Sequence, residues 1–68
     1  MNNIKYPNIK VRLVGEDGNA FAIIGRCRRA MIKNHLSQDE IDAFTQEATK
    51  GDYNHLLCTC MNWFDVES

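Results

Sequence analysis

Ile9, Val11 and Leu13 alternate with Lys10 and Arg12, and an apolar/polar period of two marks a strand buried on one face. This spacing predicts a strand over residues 9–13, with Val14 at its end. Residues 1–7 are polar and finish at Pro7, so they read as a lead-in, frayed or ordered. The period then changes. Ala20, Ile23, Ile24, Cys27, Ala30 and Met31 recur at helical spacing, which makes one apolar stripe on a helix from residue 20 to 33 or 34. Between the two elements lies Gly15-Glu16-Asp17-Gly18, a turn cluster in which Asp-Gly suits a position of positive φ.

Asn19 is the expected N-cap of this first helix, its side-chain oxygen accepting a free backbone N–H. Glu16 and Asp17 stand near the same terminus, where the dipole favours negative charge. Gly25 interrupts the helix interior at a cost of about 1 kcal/mol relative to alanine, which predicts close backbone approach by another element there. Ser37-Gln38-Asp39-Glu40 is a capping box, flanked by Leu36 and Ile41 as a hydrophobic staple. A second helix over residues 38–49 turns Ile41, Phe44 and Ala48 inward and its acids outward. Lys50-Gly51 ends it, and Asp52 caps a third helix with Tyr53, Leu56, Leu57, Cys60, Met61 and Phe64 at helical spacing. Trp63-Phe64-Asp65-Val66 reads either as a last helical turn or as a closing strand. The strand, over residues 63–67, is favoured because residues 9–14 need a partner.

The fold expected is therefore α+β in the order β-α-α-α-β. Three short helices cover one face of a small two-stranded sheet built from the N- and C-terminal segments, as a single domain over residues 1–68. A chain of this size buries only about 60% of its unfolded surface, so its core is marginal and commonly leans on a crosslink, a metal or a partner.

Composition adds four things. The chain is 44% hydrophobic and 25% charged, which argues against disorder. Cys27, Cys58 and Cys60 are an odd number with no secretory signal before them, so reduced thiols in a cytoplasmic setting are expected. No apolar run nears the roughly 18 residues of a membrane span, and no membrane partner is expected. Charge is uneven: residues 1–35 carry seven Lys/Arg against two acids, and residues 36–68 carry Lys50 against seven acids. Either the halves neutralise each other within the fold, or they present opposite faces to partners.

Candidate chemistry is sparse. The Gly15–Gly18 loop has the place of a phosphate loop, but its two carboxylates would repel an anion, and it lacks a Gly-Lys-Ser/Thr ending. Nor does it match the basic G-x-x-G of nucleic-acid-binding KH domains. On a helix Cys58 and Cys60 diverge by about 200°, and no C-x-x-C pair exists, so no metal site is expected. Cys27 and Cys60 read as buried, and Cys58 as partly exposed. His55 and Cys58 are neighbours on one helix, but a chain this small has little room for a pocket of about 300 Å³. His55 reads as a surface or boundary residue, and no enzyme, catalytic residue or cofactor is expected. Arg26, Arg28, Arg29 and Lys33 form the one basic cluster. It would suit a nucleic-acid backbone, although a pI near 6.0 is low for a dedicated binder. The third helix begins Asp52-Tyr53-Asn54-His55 and has no Lys or Arg, so it makes a poor reading helix.

The run Val11-Arg12-Leu13-Val14-Gly15-Glu16-Asp17-Gly18-Asn19-Ala20-Phe21, with Ile24-Gly25, Ala30 and Gly51-Asp52-Tyr53, resembles a group of short bacterial, phage and mobile-element open reading frames. These carry an L-V-G-x-D-G-N-A-F stretch and a Gly-Asp/Ser-Tyr step into a last helix. The resemblance spans residues 9–66 and implies one compact fold and a phage or plasmid setting. The group has no assigned activity, so no site residue follows from it.

The function expected is that of a small non-enzymatic interaction or regulatory protein. Its candidate surface is Arg26, Arg29 and Lys33, with Trp63 either an aromatic anchor or a core residue. The partner would be a macromolecule of unknown identity, a protein in preference to nucleic acid. Weak sequence-independent nucleic-acid binding and a homo-oligomer joining basic to acidic halves are the alternatives.

Overall fold

The computed structural model describes residues 3–13 and 19–67. The order is β1 (Tyr6–Arg12), α1 (Ala20–Lys33), α2 (Gln38–Ala48), α3 (Tyr53–Trp63) and β2 (Phe64–Glu67). The α+β arrangement expected from the sequence is the one found: β1 and β2 form a two-stranded sheet, and the helices pack against it. The strands run parallel. The Gly15–Gly18 turn lies outside the described residues.

Short-range signals fixed the helix starts. Asn19 accepts from the Phe21 N–H at 2.8 Å, and Asp52 accepts from the His55 N–H at 2.9 Å. Ser37 and Glu40 close the reciprocal capping box, with Ser37 N–H donating to Glu40 Oε1 at 2.9 Å. Each contact pairs a backbone donor that the first helical turn leaves free. At the other end of α1, the Leu36 N–H donates to the Met31 carbonyl and the His35 N–H to that of Ile32. This is the Schellman pattern, and it puts His35 at φ 64°, a left-handed position usually given to glycine.

The core draws Ile9 and Val11 from β1, and Ile23, Cys27 and Met31 from α1. It is completed by Ile41, Phe44 and Ala48 of α2, Leu56 and Cys60 of α3, and Phe64. Four expectations need correction. β1 begins at Tyr6, earlier than residue 9, because Tyr6 registers with Phe64 and stacks on its ring at 6.1 Å. The register slips between Tyr6 and Lys10, where Pro7 has no N–H to give the ladder. Trp63 closes α3, and the second strand starts one residue later. Tyr53 and Met61 are exposed, off the buried stripe of α3. Gly25 admits no close neighbour: among the described residues nothing lies within 4 Å of where its Cβ would stand. The tight approach occurs at Gly51, where a Cβ would meet the His55 Cβ at 2.8 Å.

The outer face of the sheet is charged. Lys10 registers with Asp65 and Arg12 with Glu67, opposite charges on neighbouring strands.

Candidate interaction surface

Of the four residues singled out from sequence, Trp63 lies on α3 and Arg26, Arg29 and Lys33 lie on α1. Trp63 is half-buried in an aromatic cluster, 5.4 Å from the Phe44 ring and 5.8 Å from that of Tyr6. Lys5 Nζ lies 4.4 Å above the Trp63 ring, a cation–π contact that covers part of it. Tyr6 Oη donates to Glu40 Oε2 at 2.8 Å. Burial first, and then that bond, raises the Tyr6 pKa. The Ser37 N–H first, then the Tyr6 hydroxyl, then the Ser37 hydroxyl, hold Glu40 below the usual glutamate value. Trp63 therefore belongs to a structural joint between β1, α2 and β2.

The basic residues lie on α1. Arg29 and Lys33 are exposed, whereas Arg26 is half-buried and is not a free charge. Arg28 is exposed as well, and no ion pair holds Arg28, Arg29 or Lys33 among the described residues. Sequence reasoning missed two neighbours. Phe21 is 85% exposed and Ile32 is 61% exposed. Eleven residues bring a helix round to almost the same direction, about 16 Å along its axis. Phe21, Gly25, Arg28 and Ile32 thus form an outward stripe, with Arg29 and Lys33 beside it. The signal was present in the sequence as two large apolar residues standing off the buried stripe.

Other groupings are structural. His55 Nε2 is 2.9 Å from the Glu47 carbonyl and 3.1 Å from Glu47 Oε2. Both partners are acceptors, so Nε2 carries the proton and donates to the last turn of α2, which has no basic residue of its own. Glu47 also meets Lys50 at 3.5 Å. No hydrogen bond joins His55 to Cys58 among the described residues, and Cys58 is exposed.

Cys27 and Cys60 are both fully buried, with sulfurs 3.6 Å apart. The contact with Cys60 first, and burial second, drives the Cys27 thiol far up. Cys27 therefore keeps its proton and can donate it to Cys60, whose thiolate that bond favours.

No group of three His, Cys, Asp or Glu side chains suited to a metal ion occurs among the described residues. No described helix is long and apolar enough to cross a membrane. An apolar cleft of about 250 Å³, lined by Ala20, Phe21, Ile24, Tyr53 and Leu56, opens beside the start of α1. No known protein family, curated protein or solved structure matches the chain.

Proposed function

We propose that this protein is a small interaction or regulatory module that presents the outer face of α1 to a protein partner. One observation carries the reading: Phe21 and Ile32 stand exposed on a single helical stripe, among the cations Arg28, Arg29 and Lys33. Exposed apolar residues scattered singly are normal on any surface. Two on one stripe, rimmed by cations, resemble the anchors and polar rim of a binding face. The partner's chemistry follows: an acidic surface with apolar recesses for Phe21 and Ile32. The reading includes no catalytic step, and its setting is cytoplasmic, where thiols are the resting state of Cys27, Cys58 and Cys60. The resemblance to mobile-element reading frames supports a phage or plasmid setting for that partner.

The same cations favour a second reading, sequence-independent binding to nucleic acid. The two differ in what the apolar residues do. For a protein partner, Phe21→Ser with Ile32→Ser should abolish specific capture while the thermal melt changes little, because neither side chain supports the core. Retained capture would reject the proposed face. For nucleic acid, Arg28→Gln with Arg29→Gln and Lys33→Gln should remove a gel shift at about 50 mM salt, and the apolar pair should not matter.

A further inference from the structure

The contact between Cys27 and Cys60 joins two nucleophilic groups that neither the binding face nor the helix caps employ. The sulfurs lie 3.6 Å apart with no exposed surface, one on α1 and the other on α3. We propose that Cys27 and Cys60 form a site of reversible thiol oxidation, at which a hydroperoxide converts the two thiols into an intramolecular disulfide locking α1 to α3.

A disulfide brings its sulfurs to about 2.05 Å, so closing the present gap needs a movement of roughly 1.5 Å. Rotation about the two Cα–Cβ bonds, with any small shift of α1 against α3 that the bond requires, would supply that movement. Cys58 does not compete, because it points to solvent from the other side of α3. The pair also differs from two cysteines that merely fill space, since each sulfur has the other as its hydrogen-bond partner.

The reaction balances with one molecule of hydrogen peroxide, the smallest hydroperoxide. The Cys60 thiolate attacks a peroxide oxygen and the O–O bond breaks. Cys60 becomes a sulfenic acid, and the departing hydroxide leaves as water with one thiol proton. The Cys27 sulfur then attacks the Cys60 sulfur, the S–O bond breaks, and a second water carries away the Cys27 proton. Both sulfurs are oxidised by one electron each, and the peroxide oxygens are reduced. A hydroperoxide little larger than water can reach the pair through brief local opening between α1 and α3.

The bond would close a ring of about 34 residues and so restrict the unfolded chain. For a domain of this size the thermal midpoint should rise by roughly 10–20 °C. The test uses the full chain carrying Cys58→Ser, treated with hydrogen peroxide in native buffer. The expected product is a monomer lighter by about 2 Da, with the Cys27 and Cys60 peptides linked, a raised melt, and reversal by dithiothreitol. Adding Cys27→Ala should abolish the mass loss. Should that variant not fold, the linked peptide in the unsubstituted chain decides the matter. Gains of about 16 or 32 Da without the 2 Da loss would overturn the proposal. A linked product that melts below the reduced protein would do so too.

Discussion

Replacing His35 with glycine should make this protein more stable, although His35→Gly removes an entire side chain. His35 holds the left-handed position that ends α1, with φ 64°, while its N–H and that of Leu36 satisfy the Ile32 and Met31 carbonyls. A residue with a Cβ loses about 1–2 kcal/mol in that conformation. Glycine escapes the penalty but has more unfolded-state freedom to lose, roughly 0.5–1 kcal/mol. The ring is exposed and has no hydrogen-bond partner among the described residues, so little else is given up. The difference is a net gain of about 0.5–1 kcal/mol, which in a domain of this size raises the thermal midpoint by roughly 2–8 °C. Calorimetry or circular dichroism melts of His35→Gly, His35→Ala and His35→Val give the comparison. Alanine keeps the Cβ and should gain nothing, and the β-branched valine should fall below the parent. A glycine variant that melts at or below the parent, with alanine equal to it, would refute the reasoning.

Gly51→Ala should destabilise by about 1–3 kcal/mol, because the new methyl would sit 2.8 Å from the His55 Cβ and that ring is held by Glu47. A urea midpoint unchanged from the parent would count against this packing. Glu40 titrates below its ordinary 4.5 in the fold, so as the pH falls the unfolded chain takes up the proton first. The stability it confers is complete above the ordinary value and fades as pH drops through the folded one. Glu40→Gln should therefore flatten this part of the acid profile in urea titrations between about pH 6 and pH 3. Parallel profiles for the two proteins would show that the Ser37 and Tyr6 contacts do not hold the carboxylate.

What could be read from sequence was local. Asn19, Ser37 with Glu40, and Asp52 all cap their helices, because a cap is decided within one turn of chain. The stripes of α1 and α2 were legible for a similar reason, each having one apolar side. On α3 apolar residues lie nearly all round, so periodicity could not say that Leu56 and Cys60 would be buried and Tyr53 and Met61 exposed. Thr59 is buried between them and satisfies itself by donating to the His55 carbonyl at 2.8 Å, which polarity alone would not suggest. Gly25 was misassigned because a missing Cβ says nothing about direction. Gly25 faces outward, while Gly51 meets the next helix. Trp63 could not be placed from sequence, since its neighbours Tyr6 and Phe44 come from distant parts of the chain. The parallel sense of the strands depends likewise on how three helices turn the chain, which no single segment encodes.

Val11 meets Val66 only after roughly 55 intervening positions have been gathered in. The helices can form from nearby contacts, but the strand ladder cannot begin until synthesis reaches β2. Until then β1 lacks the neighbour that takes up its ladder hydrogen bonds, and a protease or chaperone would meet a string of nascent helices. The final strand thus works as a clasp: cooperative resistance to unfolding arrives late and nearly all at once, and cutting away β2 should undo far more than four residues' worth of structure.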